Sequence, residues 1–141
     1  METITITLDG VEVSGSSGMT ILDLARESGV NIPTLCHDHY LNPTGACRLC
    51  IVEDESSGTL LASCVAPIRA GMVINTRSPR VMERRKILIQ LMLASHPDSC
   101  LVCDKGNQCQ LRKLGAEMGI GLVELQRIPQ MAAIEEVNPF I

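Results

Sequence analysis

Four cysteines in the first half of the chain have a spacing suited to a metal centre. They follow the pattern C-x10-C-x2-C-x13-C. The central C-x2-C pair allows one tight turn to hold two thiolates against the same centre. Gly45 and Ala46 precede this pair and are small, so backbone N–H groups can approach and point at cluster sulfurs. The candidate ligands of this first set are Cys36, Cys47, Cys50 and Cys64.

The first set favours an iron–sulfur cluster over its competitors. Plant-type ferredoxins take three thiolates from one loop and a fourth from a distance, with a first gap of about four residues. Here the first gap is ten residues, so the plain ferredoxin pattern does not fit. A structural zinc site stays open, although zinc sites usually use two short-spaced pairs and this set has one. His37 and His39 would exceed four ligands, and we interpret them as polar loop residues.

A second set near residue 100 combines a histidine with three cysteines. The segment HPDSCLVCDKGNQC gives the pattern H-x3-C-x2-C-x5-C. Because the chain has seven cysteines, counting this histidine yields two sets of four ligands. Spacing alone leaves zinc and a four-iron cluster equally open. In a cluster, imidazole in place of a thiolate would raise the reduction potential, as in Rieske centres. The candidate ligands of this second set are His96, Cys100, Cys103 and Cys109.

The composition is that of a globular chain with an acidic balance. Of its 141 residues 45% are hydrophobic and 20% charged, and the formal net charge is −4. Nucleic acid is therefore not expected as a partner, because phosphate binding needs a basic face. The most apolar run, residues 87–94, is too short to span a bilayer, so no membrane insertion is expected. Without a signal peptide after Met1, we place the chain in the cytoplasm, where thiols stay reduced.

The first 78 residues predict a small α+β unit around the first set. The stretch 3–13 alternates as a β-hairpin with Asp9-Gly10 at its turn. Residues 20–29 predict a helix, capped by Thr20 and ended by Gly29. A loop-rich stretch follows over 31–50, and short strands are predicted in CIVEDE, TLLASCVAPI and GMVINTRS.

The remaining residues predict a mainly helical unit around the second set. A helix should begin with Ser78 as cap and Pro79 as its first residue, and Pro97 should stop it. We expect Val81, Leu88 and Met92 or Ser95 along its apolar side, which favours packing between the two units over docking of a partner. A short helix is predicted within 108–119. Each unit has little core, so we expect two metal-dependent domains, 1–78 and 79–141.

Both motifs together resemble a known family. CHDHYLNPTGACRLCIVE with a fourth cysteine, followed by HPDSCLVCDKGNQCQLRKLG, resembles the N-terminal segment of the large iron–sulfur subunit of respiratory complex I. The same segment opens related subunits of NAD-linked [FeFe]-hydrogenases and NAD-dependent formate dehydrogenases. The resemblance covers nearly the whole chain and all eight ligand positions. It implies an α+β fold: a β-grasp, ubiquitin-like ferredoxin domain with a [2Fe–2S] cluster on the first set, then a small, mainly helical domain with a [4Fe–4S] cluster on the second.

The function implied by this resemblance is electron transfer. The chain would relay electrons through both clusters in an NAD(P)-linked oxidoreductase complex, beside flavin- and iron–sulfur-containing subunits of a hetero-oligomer. Members of the family usually continue into further domains, whereas this chain ends at NPFI. We therefore expect a segment of a longer protein or a small separate subunit, with no catalytic site of its own. A structural zinc-binding interaction module on a ubiquitin-like scaffold and a free two-cluster ferredoxin remain as alternatives.

Overall fold

The computed structural model describes residues 3–96 and 100–120. Over these ranges a hairpin and a helix come first, three strands follow, and two helices complete the order, which confirms the predicted α+β class. No helix in these ranges has the length and apolar character needed to cross a membrane. The strands are β1 (Thr3–Leu8), β2 (Val11–Ser16), β3 (Ile51–Asp54), β4 (Thr59–Ala62) and β5 (Val73–Asn75), and the helices are α1 (Ile21–Glu27), α2 (Pro79–Ala94) and α3 (Gln110–Glu117).

The strands form one mixed sheet in the order β2-β1-β5-β3-β4. Only the β1–β5 pair at its centre is parallel. The predicted hairpin is confirmed, and its turn residues Asp9 and Gly10 have φ values of 48° and 85°, as a two-residue hairpin turn of type I′ requires. The Asp9 carboxylate accepts hydrogen bonds from the amide and hydroxyl of Thr76 at 2.7 and 2.6 Å. This contact ties the hairpin to the chain after β5.

Helix α1 covers one face of the sheet and begins where its cap predicts. The Thr20 hydroxyl accepts from the Asp23 amide, and the Asp23 carboxylate accepts in return from the Thr20 amide, which is a capping box. The buried side of α1 packs with β1, β3 and β5 into the main core, which also contains two thiols of the first set. Members of this core are Ile6, Leu8, Ile21, Leu22, Leu24, Val52, Ile74, Cys50 and Cys64.

Helix α2 connects the sheet to the second set of ligands. Ser78 caps it by accepting from the Val81 amide at 3.2 Å, and Pro79 is its first residue, both as predicted. Its fully buried line runs through Val81, Arg85 and Ile89, whereas the expected apolar side was only partly right, because Leu88 and Met92 are half-buried. The helix contacts both β3 and α3. A larger part of its surface is therefore covered than the single apolar side predicted from the sequence.

A second apolar cluster lies between α2, α3 and the cysteine loop. It joins residues from both sides of position 78, so the expected packing of α2 between the two parts of the chain is found. The division into domains 1–78 and 79–141 stays a prediction. The cluster is formed by Leu49, Ile89 and Ile120, with Leu35, Cys47, Leu88, Met92, Leu93, Leu111, Leu114 and Met118 packed against them.

Candidate metal centres

The β3–β4 ladder places two cysteines of the first set side by side. Cys50 directly precedes β3 and Cys64 follows β4. Ile51 pairs with Ala62 in the antiparallel register, and Ser63 donates to the Cys50 carbonyl through its amide at 3.2 Å and its hydroxyl at 2.7 Å. Both cysteines therefore lie at the same end of the ladder, fixed by backbone pairing.

The four cysteines of the first set lie in two adjacent pairs, Cys50 with Cys64 and Cys36 with Cys47, and their ligation of a common group stays a prediction. The Sγ atoms of Cys50 and Cys64 are 3.3 Å apart, and the Cys47 amide donates to Cys36 Sγ at 3.4 Å. Cys64 also interacts electrostatically with Cys36 and Cys47. Cys50 and Cys64 are buried, Cys47 is half-buried and Cys36 is exposed. The group therefore extends from the core to the protein surface.

The pKa values of the exposed thiol, Cys36, and the buried thiol, Cys64, are shifted in opposite directions. The backbone N–H of Cys47 lowers the pKa of the Cys36 thiol, desolvation opposes it, and the Cys47 thiol, the Ala46 amide and the Thr44 side chain add smaller decreases. Burial raises the pKa of Cys64 to about 12, and the Cys50 thiol beside it adds to the increase. Because metal ligation needs thiolates, Cys64 would have to lose its proton on binding a metal.

The backbone around Cys47 turns twice through the left-handed region. Gly45 has a φ of 63° and Arg48 has a φ of 58°, which is uncommon for a residue with a side chain. The Arg48 turn lies between Cys47 and Cys50 in the cysteine loop. A Cβ at Gly45 would lie 3.5 Å from two methyl carbons of Val65. The predicted close approach of backbone N–H groups to sulfur is found at Ala46 and Cys47.

A buried arginine next to the first set was missed by the sequence analysis. The Arg85 side chain donates from Nε to the Leu49 carbonyl at 3.0 Å and from Nη2 to the Ile51 carbonyl at 2.6 Å. These carbonyls lie on either side of Cys50. Arg85 stands four residues from Val81 and four from Ile89, both fully buried. An arginine in line with two apolar residues on one helix face was the available signal.

The three cysteines of the second set occupy a compact loop before α3. A 3₁₀ turn spans Cys100–Val102, and the Gly106 amide donates to the Cys103 carbonyl at 2.9 Å. A Cβ at Gly106 would lie 3.0 Å from the Cys100 carbonyl oxygen and 3.1 Å from that of Cys103. Cys109 is the N-cap of α3 and makes no side-chain capping bond. Its thiol is therefore not engaged by the helix, whose N-terminus favours a negative centre.

His96 lies just past the C-terminus of α2, where its amide donates to the Leu93 carbonyl at 3.2 Å. Residues 97–99, which connect it to Cys100, and the predicted helix stop at Pro97 lie outside the described residues. That His96 joins the three cysteines as a ligand stays a prediction.

The histidines that flank Asp38 have different surroundings. Their rings meet edge to face with centroids 5.8 Å apart. The interpretation as polar loop residues fits His39, which is exposed. His37 is half-buried, and its Nδ1 atom is buried without a hydrogen-bond partner in the part of the chain that the structure describes.

The grouping of the thiols in the first set bears on the kind of metal centre that it could hold. Across residues 3–96 and 100–120, no three side chains of His, Cys, Asp or Glu converge on one metal position. A zinc ion needs all four ligands within about 2.0–2.3 Å of itself. An iron–sulfur cluster distributes its ligands over two or four irons instead. The first set, with one close Sγ pair and two further thiols beside it, fits a two-iron cluster.

Two family matches divide the chain at α2. Residues 1–79 match the 2Fe-2S iron-sulfur cluster binding domain. Residues 85–123 match the NADH-ubiquinone oxidoreductase-G iron-sulfur binding region. The first match contains the four cysteines of the first set, and the second contains His96 and the other three cysteines.

Curated relatives are subunits of oxidoreductases. The chain is 40% identical over 125 residues to the NADP-reducing hydrogenase subunit HndD of Solidesulfovibrio fructosivorans, covering 85% of this chain and 21% of that protein. It is 34% identical over 140 residues to the mitochondrial NADH-ubiquinone oxidoreductase 78 kDa subunit of Candida albicans, covering 98% and 19%. The chain therefore spans about a fifth of the length of these relatives.

A solved structure shares the fold. An NAD⁺-reducing [NiFe]-hydrogenase in its H2-reduced state superposes with a TM-score of 0.82 at 30% identity, covering 92% of this chain and 55% of that one. The match includes both the sheet with its cysteine loop and the helical part, because it leaves out less than a tenth of this chain.

Proposed function

The chain belongs to the family of 2Fe-2S iron–sulfur cluster binding domains, and from this premise we propose that it relays electrons within an NAD(P)-linked oxidoreductase complex. A [2Fe–2S] cluster is indicated for its first part and a [4Fe–4S] cluster for its second. When bound, such clusters supply one-electron transfer. The observation that carries the proposal is the Cys50–Cys64 thiol pair at one end of the β3–β4 ladder. Cys36 and Cys47 contact each other and interact electrostatically with Cys64.

The proposed ligands of the [2Fe–2S] cluster are the four cysteines of the first set. Cys50 and Cys64, with Sγ atoms 3.3 Å apart, would hold the iron nearer the core, and Cys36 and Cys47 would hold the outer iron. The amides of Ala46 and Cys47, which already stabilise a Cys36 thiolate, would donate to sulfur and steady the added negative charge. The exposed position of Cys36 gives a partner close access.

The proposed ligands of the [4Fe–4S] cluster are His96 and the three cysteines of the second set. Support comes from the tight loop at Gly106. The Gly106 amide donates to the Cys103 carbonyl, and the Cys100 carbonyl also lies close to Gly106. The unbonded thiol of Cys109 at the start of α3 supports a third ligand there. His96 is assigned by ligand count and motif, and its imidazole would make this cluster easier to reduce than one held by four thiolates.

The two proposed cluster sites share one packed apolar body. Cys47, a ligand of the first set, belongs to the same apolar cluster as Leu111, two residues after Cys109. Helix α2 lies within this cluster and leads to His96. Rigid packing of this kind keeps two redox centres at a fixed separation, which an electron relay needs. We propose that domains 1–78 and 79–141 carry one cluster each.

We propose the partners of this chain from the names of similar proteins. The relatives are named as subunits of NADP-reducing hydrogenase and NADH-ubiquinone oxidoreductase. By this likeness the chain would work in a hetero-oligomer beside flavin- and iron–sulfur-containing subunits, in the cytoplasm. The proposal assigns no catalytic residue to the chain. The isolated chain should therefore not oxidise NADH, and NADH oxidation by the isolated chain would contradict the absence of a catalytic site.

Paired cysteine variants test the function and its ligands. Cys50→Ala should lose the electron paramagnetic resonance (EPR) signal of the [2Fe–2S] cluster and keep that of the [4Fe–4S] cluster, and Cys103→Ala should do the reverse. His96→Cys should keep the four-iron signal and lower its reduction potential. Each variant serves as the control for the other site. Both signals surviving in Cys50→Ala would overturn the first assignment, and an unchanged four-iron potential in His96→Cys would remove His96 as a ligand.

A further inference from the structure

We propose that Arg85 raises the reduction potential of the cluster at the first set, by holding a buried positive charge against the backbone that carries Cys50. The inference rests on the proposed ligands of that cluster. Arg85 is a positioning residue, because its contacts are to the backbone beside a ligand and not to the ligand itself.

The side chain is built into the interior beside Cys50. Arg85 is 3% exposed, Cys50 is 1% exposed and Leu49 is fully buried. The guanidinium reaches from α2 to the start of β3 and donates to the carbonyls of Leu49 and Ile51 at 3.0 and 2.6 Å. Two donors in a rigid fork hold the carbonyl groups of the residues before and after Cys50 in a fixed orientation. The positive charge therefore contacts the backbone of both sequence neighbours of Cys50, a proposed cluster ligand.

No carboxylate in the described ranges forms an ion pair with this charge. The ion pairs found there join Arg80 to Glu53 and Lys113 to Glu117, and both carbonyl acceptors of Arg85 are neutral. Asp9 attracts Arg85 from further away, but its carboxylate already accepts two bonds from Thr76. Burial lowers the pKa of Arg85 to about 10, so the guanidinium stays protonated at neutral pH.

A buried cation of this kind is costly unless negative charge lies nearby. An oxidised two-iron cluster with four thiolates carries net negative charge, and one electron adds one further negative charge. In the redox reaction that electron comes from a one-electron donor, Arg85 keeps its proton, and no covalent bond forms or breaks. The attraction to Arg85 is greater in the reduced state, so the cation favours reduction. Its charge is shielded from salt by burial, unlike that of the exposed Arg84 on the same helix.

Four variants separate charge from structure. Arg85→Met and Arg85→Gln remove the charge, and Arg85→Lys keeps it without the two-pronged contact. Arg84→Met removes the same charge one residue away at the surface. The measurement is a redox titration of the anaerobically purified full chain with mediator dyes, read by EPR of each cluster separately. At a fixed potential, the neutral Arg85 variants should show a ratio of reduced to oxidised two-iron cluster about tenfold lower than wild type, equivalent to a lowering of the reduction potential by about 59 mV for one electron.

The controls define what would overturn the proposal. Arg85→Lys should keep most of the wild-type potential, and Arg84→Met should leave it unchanged. The shift in the neutral variants should persist when ionic strength rises from about 0.1 M to about 1 M. Neutral Arg85 variants that titrate like wild type would refute the proposal. The neutral variants could fail to bind a two-iron cluster. In that case, cluster binding by Arg85→Lys would support a role for the positive charge, and failure of Arg85→Lys to bind the cluster would refute that role.

Failure of the proposed function would look different. In that case the wild-type chain itself would show no two-iron signal, whatever residue stands at position 85.

Discussion

Replacing Gly106 with alanine should remove the second cluster and spare the first. Gly106 lies in the loop between Cys103 and Cys109, and its φ is not in the left-handed region, so the effect would be steric. An added Cβ would lie 3.0 and 3.1 Å from the backbone oxygens of Cys100 and Cys103. Because both neighbours are backbone atoms of proposed ligand residues, they cannot give way without moving those ligands.

The cost of this substitution follows from two contacts and one hydrogen bond. Relieving the overlap requires a shift of a few tenths of an ångström at each carbonyl, and overpacking of this kind costs about 1–3 kcal/mol. The shift also strains the bond from the Gly106 amide to the Cys103 carbonyl at 2.9 Å, worth about 1 kcal/mol. A total of about 2–4 kcal/mol lowers the population of the ligand-competent loop by about thirtyfold or more.

The assay counts iron and acid-labile sulfide per chain and records the EPR signal of each cluster. Gly106→Ala should retain about two irons of about six. Gly115→Ala is the matched control, because its Cβ would meet the flexible end of Leu93 at 3.2 Å and alanine is the better helix former; it should keep both clusters. A Gly106→Ala protein with both clusters at wild-type occupancy would refute the steric account of this loop.

Three further substitutions test the parts that support the first set. Arg48→Val should lower two-iron occupancy while Arg48→Gly keeps it, since only glycine tolerates the φ of 58° without strain; equal occupancy in both variants would contradict the role of this turn. Asp9→Ala should cost about 2–4 kcal/mol in urea unfolding, because it leaves the buried Thr76 amide and hydroxyl without their acceptor; a loss below about 1 kcal/mol would show that water replaces it. Ser78→Ala should lower the unfolding free energy by about 1 kcal/mol through loss of the α2 cap, and an unchanged urea midpoint would show that the cap contributes nothing.

Local signals in the sequence predicted most of the secondary structure. The Asp9-Gly10 turn, the Thr20 cap and the Ser78-Pro79 start each depend on residues within a few positions of one another, and all three were confirmed. The proximity of Cys36, Cys47, Cys50 and Cys64 was predicted from their spacing, which suits the ligands of one iron–sulfur cluster.

Contacts between distant segments could not be derived in the same way. Arg85 bonds to carbonyls 36 and 34 residues away, and neither acceptor has a side chain that marks it in the sequence. The parallel pairing of Leu8 with Ile74 also joins segments far apart. The buried surface of α2 is also larger than the apolar side predicted from the sequence, because both β3 and α3 pack against this helix.

Metal content per chain tests the central claim most directly. Iron, acid-labile sulfide and zinc should be measured in protein purified without oxygen, together with a visible spectrum. The account predicts about six irons, about six sulfides and no zinc, the sum of one two-iron and one four-iron cluster. Two zinc ions without iron or sulfide would contradict electron transfer and make the chain a zinc-binding interaction module.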